Sequence, residues 1–309
     1  MLIDFHRRML ADRVRHQAYR AALAQVLVPG RSTVADLGAG TGILSFFARE
    51  LGARECWLYE PGAALQLAAT IAARNGIEGL HFVPEWSHLV ADPTPVDVVV
   101  AEVFGNFALE EGVLETLRDA RRFLAPGGTL IPGRLEQWVA PVASQRFDAE
   151  LRSWRAVGHG LDLRDAEAMS LSNLYVYAIE PADLLGVPAQ RWDALHFNTE
   201  LASQRRGTAR WTLADATTVA GFALWWDAVL VPGVTLSTSP HAPRTHWDQI
   251  YLPLRTTLEL AAGDGLEVTI ASETGGDESG IAVEWTVVQR RGGTAIVEQR
   301  LDIGSGYLA

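Results

Sequence analysis

The sequence has little cysteine and no lysine. Its one cysteine, Cys56, stands between Glu55 and Trp57 in a predicted strand, so the 309 residues offer neither a disulfide framework nor a thiolate metal site. We therefore expect a reducing, cytoplasmic setting. All 26 basic residues are arginines, a bias to which we attach no function.

Long apolar runs are also missing. No segment approaches ~18 uninterrupted apolar residues, which predicts that nothing spans or binds a membrane. The first 20 residues carry charge throughout and lack an apolar core followed by a small-residue cleavage site, which argues against a secretory signal. The 37 acidic residues give a net charge of -11, so we expect no nucleic-acid partner.

The length is sufficient for two domains, and the first half has an α/β pattern. From residue 6 to about 132, short apolar runs alternate with helical periods, which is typical of a parallel sheet. The predicted strands are Thr33–Leu37, Glu55–Tyr59, Leu80–Val83, Val96–Ala101 and Thr129–Pro132. The predicted helices are Gly42–Leu51, Ala63–Asn75 and Leu109–Leu124.

Beyond Pro132 the pattern changes to antiparallel β, with period-two alternation, frequent turn residues and eight of the ten tryptophans. The predicted strands are Leu135–Val139, Val219–Leu230, Gln249–Leu252, Leu266–Ile270, Ala282–Gln289 and Thr294–Leu301. We predict a helical insertion at about 160–187 and one hairpin loop at Thr274 to Gly280.

The first predicted strand continues into a glycine-rich turn, DLGAGTG, which begins at Asp36. Its glycines are Gly38, Gly40 and Gly42. Small residues before a helix let a nucleotide-like cofactor approach the backbone, although a tight structural turn would look similar. Ile43 stands where a dinucleotide fingerprint has its third glycine, which disfavours NAD. Glu60 ends the next strand, 24 residues after Asp36, where its carboxylate can accept hydrogen bonds from both ribose hydroxyls.

These residues carry a family resemblance. VADLGAGTG followed by LYE is similar to the S-adenosylmethionine site of class I methyltransferases, and three further segments resemble signatures of the protein arginine methyltransferases in the family's order. Those segments are HRRMLADRVRHQAYR, AEVFGNFALEEGVL and STSPHAPRTHWDQ. The resemblance runs from about His6, which only five residues precede, to the C-terminus.

The resemblance implies a fold and an assembly. An N-terminal helix and a Rossmann-like domain that binds S-adenosylmethionine would occupy residues 1–132, and an antiparallel β-barrel substrate domain would occupy residues 133–309. A helical dimerisation arm at about 160–187 would dock on the Rossmann-like domain of a second subunit and give a two-fold homodimer.

Two carboxylates suit a guanidinium, which is planar and presents its donors in a fork. Glu102 ends the valine-rich strand, and Glu111 follows nine residues later beyond a turn. By resemblance these two match the family's pair of catalytic glutamates, which would leave one terminal guanidinium nitrogen free to attack the methyl group in line. Glu110 and Glu115 are equally well explained as the acidic first turns of a solvated helix.

Thr245-His246-Trp247 lies in a loop without helical or strand periodicity. By resemblance this segment walls the arginine pocket, so Trp247 would contact the substrate. His246 would pair with Asp12 and relay the proton, although Asp12 also fits a polar position on an amphipathic helix. For the other seven histidines we expect neither a ligand role nor a metal site.

Further residues are assigned by register with the family. Arg15 would hold the cofactor's carboxylate, and Met9 would line the substrate channel. Trp86 and Ser87 stand where the family has a carboxylate near the adenine. The cofactor set is therefore Arg15, Asp36, Gly38, Gly40, Gly42, Glu60, Trp86 and Ser87.

The leading hypothesis is an S-adenosylmethionine-dependent methyltransferase that acts on a guanidino nitrogen of a protein arginine, a peptide or a small compound such as free arginine. An alternative is a class I methyltransferase of oxygen or carbon in a small molecule. A non-catalytic binding or assembly protein on the same fold is a third possibility.

Overall fold

The computed structural model describes residues 3–157, 159–199, 201–274 and 280–306. Most of the hairpin loop predicted at Thr274 to Gly280 lies outside these described residues.

The first domain has a parallel sheet of five strands in the order β3-β2-β1-β4-β5. These are β1 (Thr33–Leu37), β2 (Glu55–Tyr59), β3 (Leu80–Val83), β4 (Val96–Ala101) and β5 (Leu124–Ile131). The first four match the sequence prediction. All five residues of β1 are buried, as its place at the centre of the sheet requires. The order reverses between β1 and β4, so the carboxyl ends of β1 and β4 flank a crevice at the switch point.

Five helices accompany this sheet: α1 (Ile3–Ala11), α2 (Arg13–Val26), α3 (Ile43–Glu50), α4 (Ala64–Asn75) and α5 (Val113–Ala120). The helix predicted at Leu109–Leu124 is wrong at both ends. Glu111 and Gly112 have φ angles of 59° and 71°, in the left-handed region, so no helix can pass through them. Its C-terminal part is a 3-10 turn at Arg121–Phe123 followed by β5.

The second half of the chain forms two antiparallel sheets, which make the barrel domain. Its strands are β6 (Arg134–Val142), β7 (Tyr175–Tyr177), β8 (Gln190–His196), β9 (Gln204–Thr212), β10 (Thr217–Val231), β11 (Val234–Ser237), β12 (Gln249–Leu260), β13 (Gly265–Thr274), β14 (Ile281–Arg291) and β15 (Thr294–Asp302). One sheet has the order β7-β12-β10-β6-β8 with β11 on β10, and the other has the order β15-β14-β13-β9. Every predicted strand of this half lies within an observed one.

The insertion predicted as helical at about 160–187 requires a correction. Its helices begin earlier, as α6 (Arg146–Leu151), α7 (Trp154–Val157) and α8 (Arg164–Ser170). The second part of the range contains β7, which pairs with β12, and a 3-10 turn at Pro181–Asp183. Tyr177 of β7 stacks on Phe147 of α6 and on Tyr175, and Phe147 also contacts Tyr251 of β12, so an aromatic cluster ties this segment to the barrel.

One hydrophobic core joins the two domains. The parallel sheet contributes its buried valines, the barrel contributes its tryptophans, and Phe104 and Phe107 lie between them. Two residues connect β5 to β6, and the nitrogen of the second, Gly133, donates to carbonyls of β10. The segment that follows Glu102 faces the barrel, because Trp226 and Trp247 donate to its carbonyls.

Among the helices of the described residues, none is both long enough and apolar enough to cross a membrane.

Candidate functional site

The glycine-rich turn after β1 is a tight backbone cradle. Gly38, Gly40 and Gly42 have φ angles of 71°, 53° and 82°, which L side chains rarely adopt. A Cβ atom on Gly38 would lie 2.8 Å from Cγ1 of Val103, and one on Gly42 would lie 2.9 Å from Cζ of Phe46. Both the conformation and the space therefore demand glycine at these two positions.

Two carboxylates hold this turn in place. Glu60 accepts hydrogen bonds from the backbone nitrogens of Gly40 (3.2 Å) and Gly62 (2.8 Å). Asp36 lies beneath the turn, 1% exposed, and its Oδ2 accepts from the nitrogen (3.1 Å) and the hydroxyl (2.8 Å) of Ser45. Burial raises the pKa of Asp36 to about 6 against these hydrogen bonds. Asp36 thus supports the backbone of the cradle, and its place in the cofactor set stays a prediction.

His6 of α1 lies over the turn, a role that sequence reasoning missed. A Cβ atom on Gly40 would lie 3.5 Å from Cε1 of His6. The available signal was its place at the start of the HRRML segment, one helical turn before Met9.

Arg15 of α2 and Glu102, which follows β4, form a buried ion pair. Nε of Arg15 donates to Oε2 of Glu102 at 2.6 Å, and a second guanidinium nitrogen contacts the same oxygen. The side chains are 6% and 4% exposed. Nη1 of Arg15 is buried and has no hydrogen-bond partner within the described part of the chain. The guanidinium therefore keeps a donor for a further acceptor.

Glu111 lies in the irregular segment 102–112, here called the two-glutamate loop. Its φ of 59° is unusual for a residue with a side chain and costs energy. Although much of the residue is exposed, partial burial of its carboxyl and the charge of Glu102 raise the pKa of Glu111, against the effect of His246. No hydrogen bond from a described residue occupies its carboxylate.

The neighbouring glutamates have other environments. Glu110 folds back over the loop, so a Cβ atom on Gly105 would overlap its carboxylate. Burial raises the pKa of Glu110 against hydrogen bonds from the backbone of Phe107 and Asn106. Glu110 lies outside α5, half-buried against the loop, so of the explanations left open for it the structure does not support a solvated helical turn. Glu115 is exposed in the first turn of α5, as predicted.

Asp12 joins α2 to the barrel. Its Oδ1 caps α2 by accepting from the nitrogen of Arg15 at 2.9 Å. Its Oδ2 accepts from both the backbone nitrogen and Nδ1 of His246, each at 2.8 Å. Burial opposes ionisation of Asp12, but the hydrogen bonds from His246 and Arg15 outweigh it and hold its pKa below the usual value. His246 is 16% exposed in its side chain, and only Nδ1 of its ring is engaged by a described residue.

The remaining predicted residues lie around this centre. Trp247 is 4% exposed and donates its indole N–H to the carbonyl of Phe104 at 2.8 Å, so that donor is not free for a substrate. Met9 is half-buried, one turn before Asp12. Trp86 is 57% exposed and Ser87 is buried, in the segment that follows β3. Within the described ranges, no three His, Cys, Asp or Glu side chains are grouped closely enough to hold a metal ion.

Comparisons with known families match both halves of the chain. Residues 135–287 match a family model described as the arginine methyltransferase oligomerization subdomain. Residues 20–147 match one described as ribosomal protein L11 methyltransferase.

Curated proteins are similar over most of the sequence. Protein arginine N-methyltransferase 6 of Xenopus tropicalis is 33% identical over 275 residues, which cover 84% of this chain and 80% of that protein. Protein arginine N-methyltransferase 1 of Saccharomyces cerevisiae is 28% identical over 277 residues, 85% of this chain and 78% of that protein.

Solved structures share the whole fold. The Trypanosoma brucei PRMT1 enzyme–prozyme heterotetrameric complex with AdoHcy has a TM-score of 0.86 at 22% identity and covers 97% of this chain and 98% of its own. Arabidopsis thaliana protein arginine methyltransferase 10 has a TM-score of 0.83 at 20% identity, with 98% of each chain covered.

Proposed function

Since the chain belongs to the protein arginine N-methyltransferase family, we propose that it holds an arginine side chain between Glu102 and Glu111 while a terminal guanidino nitrogen receives a methyl group. Membership makes it an S-adenosylmethionine-dependent methyltransferase of arginine. Two observations on the two-glutamate loop support the proposal most. The carboxylates of Glu102 and Glu111 lie close enough for the charge of Glu102 to raise the pKa of Glu111, and the carboxylate of Glu111 accepts no hydrogen bond from the described residues.

The cofactor fits the chain's own groups. S-adenosylmethionine supplies a methyl group bound to a sulfonium sulfur. The backbone cradle at Gly38 and Gly40 admits a close ligand, Glu60 stands where it can accept from ribose hydroxyls, and Nη1 of Arg15 is a buried donor without a partner. A carboxylate is the natural acceptor for that donor. Trp86 and Ser87, after β3, are proposed to lie at the adenine.

The two glutamates orient the substrate. Two carboxylates that accept from one guanidinium localise its charge on the nitrogens that they bind and leave the third nitrogen richer in electron density. That nitrogen is then placed in line with the methyl group, so that catalysis comes from position and electrostatics. Arg15 already neutralises part of the charge on Glu102.

The proton released from the methylated nitrogen needs an acceptor. Glu111, with its raised pKa, binds a proton more readily than an ordinary glutamate. His246 is held in one orientation by Asp12, and its Nε2 is the ring atom available for relay.

We propose an arginine within a protein or peptide as the acceptor, because a net charge of -11 attracts basic segments. The test incubates the protein and labelled cofactor with an arginine-rich peptide, the same peptide with lysine at each arginine, and free arginine. We expect label in the arginine peptide alone. Label in free arginine alone would show that the acceptor is a small molecule and not a peptide. Label that mild base releases would be a methyl ester on oxygen and would overturn guanidine methylation.

A homodimer belongs to the same proposal. The segment of α7 and α8 exposes Val157 (56%) and Leu161 (71%). A groove of about 610 Å³ between α3 and α4 of the Rossmann-like domain is lined by apolar side chains that include Phe46, Phe47 and Ile71. We propose that the α7–α8 segment of one copy covers the groove between α3 and α4 of its partner. This is in line with the oligomerization subdomain that the family model describes.

A further inference from the structure

We propose that Trp226 is a positioning residue for methyl transfer, which fixes the two-glutamate loop through a hydrogen bond from its indole. This inference rests on the proposed function of Glu102 and Glu111. It assigns a role to a residue of the barrel that lies outside the cofactor cradle.

The barrel bonds to three successive residues of the loop. Nε1 of Trp247 donates to the carbonyl of Phe104 at 2.8 Å. Nε1 of Trp226 donates to the carbonyl of Gly105 at 3.1 Å. The backbone nitrogen of Asp248 donates to the side-chain oxygen of Asn106 at 2.9 Å.

Trp226 is held rigidly. It is 1% exposed and lies on β10, which pairs with strands on both sides. Its backbone nitrogen donates to the hydroxyl of Thr238, and that hydroxyl donates to its carbonyl. Its ring meets those of Trp247 and Phe104, each at a centroid distance of 4.9 Å. The indole N–H therefore has a fixed position relative to the barrel.

The loop depends on such contacts because it contains no helix or strand between β4 and α5. A buried carbonyl that loses its partner is strongly unfavourable, so the paired conformation is selected over conformations that withdraw from the barrel. Small displacements of catalytic groups lower rates steeply. Trp226 acts on the reaction through the loop, by its hydrogen bond to Gly105 and its ring contact with Phe104, and Trp226→Phe removes the hydrogen bond while it keeps a ring.

The test is Trp226→Phe, which keeps an aromatic ring and removes the donor. The matched control is Trp285→Phe, because Trp285 is also fully buried in the barrel and donates its indole N–H to the carbonyl of Pro253 at 2.9 Å, remote from the loop. We expect both variants to lower the unfolding midpoint similarly. Only Trp226→Phe should reduce kcat on an arginine peptide, by about tenfold or more, with the KM for the cofactor within about twofold of wild type. Equal kcat values in the two variants would overturn the inference.

A second measurement needs no activity. Amide hydrogen exchange of the segment 102–112, followed by mass spectrometry on the free protein, should accelerate in Trp226→Phe and stay at the wild-type rate in Trp285→Phe. Unchanged exchange in Trp226→Phe would overturn the inference by itself. A wild-type protein that fails to methylate any arginine peptide would instead overturn the proposed function and leave this comparison to decide whether Trp226 fixes the loop.

Discussion

At the scale of single residues, the candidate site is a small network of opposite charges. Arg15 neutralises Glu102 from one side, while Glu111 lies within the field of Glu102 and has no cation bonded to it in the described structure. In the proposed function, a guanidinium between the two carboxylates would supply the missing positive charge. The pair would then select a planar cation by charge and by donor geometry.

Replacement of Glu111 tests its role directly. Glu111→Gln keeps the size of the side chain and removes its charge, so we expect kcat/KM on an arginine peptide to fall about 100-fold or more, with cofactor affinity unchanged. The control is Glu115→Gln, the same change at an exposed position four residues later. Calorimetry of cofactor binding and steady-state kinetics check both variants, and equal losses in the two would contradict the role.

The raised pKa of Glu111 predicts the acid limb of the activity profile. Protonated Glu111 is neutral and no longer attracts a guanidinium, so kcat/KM falls as the pH drops through its pKa. Because burial and Glu102 raise that pKa, the fall should begin above the ordinary glutamate value of about 4.3. A pH–rate profile checks this prediction. The residual activity of Glu111→Gln should not show this fall at acid pH. If the fall is unchanged in Glu111→Gln, a group other than Glu111 causes it.

At the scale of elements, the sequence predicted the strands well and the two-glutamate loop poorly. The valines of β4 mark a strand buried on both faces, and period-two alternation marks the barrel strands. The helix expected from Leu109 begins only at Val113, because the left-handed backbone at Glu111 and the contacts of Glu110 with the loop override local helical preference. Such tertiary effects leave no local pattern in the sequence from which they could be predicted.

Pairings between distant residues were likewise out of reach unless a resemblance supplied them. The contact of Arg15 with Glu102 joins residues 87 positions apart, and sequence reasoning had assigned the two to different ligands. The donor of Trp226 meets Gly105 from 121 positions away, and a buried tryptophan in a barrel strand is otherwise explained by packing.

Asp12 caps α2 and also pairs with His246, and two substitutions test these two roles. Asp12→Ala removes the cap of α2 together with the acceptor of His246, so it should lower the free energy of unfolding by more than the roughly 1 kcal/mol that a cap contributes. Asp12→Asn keeps one oxygen for the cap but replaces the oxygen that accepts from His246 with an amide group that donates, so the loop of His246 loses its acceptor and its neighbouring charge. We therefore expect Asp12→Asn to lose about tenfold or more in kcat. Denaturant titration and kinetics measure the two effects. Full activity in Asp12→Asn would show that Asp12 caps α2 and has no part in catalysis.

At the scale of the whole molecule, the division into a Rossmann-like half and an antiparallel half follows from the change of hydrophobic period near Pro132. The packing of one half on the other does not follow from any local period. It places the loop of His246 against α2 and brings the barrel tryptophans to the two-glutamate loop.

The proposed dimer predicts a change of mass in a surface variant. Light scattering should give twice the monomer mass for the wild-type protein and a single monomer mass for Leu161→Glu, because a charge in an apolar interface is unfavourable. Ile296→Glu places the same charge on an apolar residue of β15 that is 45% exposed, and it should remain a dimer. If Leu161→Glu remains a dimer, the segment before α8 does not lie in the dimer interface.

The central claim is that two carboxylates present one terminal nitrogen of an arginine to the methyl group. The most direct measurement uses a peptide whose arginine carries ¹⁵N at both terminal guanidino nitrogens and follows the product by NMR. The account predicts that the new methyl protons couple to a terminal ¹⁵N. A methyl group on the unlabelled internal nitrogen, or on oxygen or carbon, would contradict it.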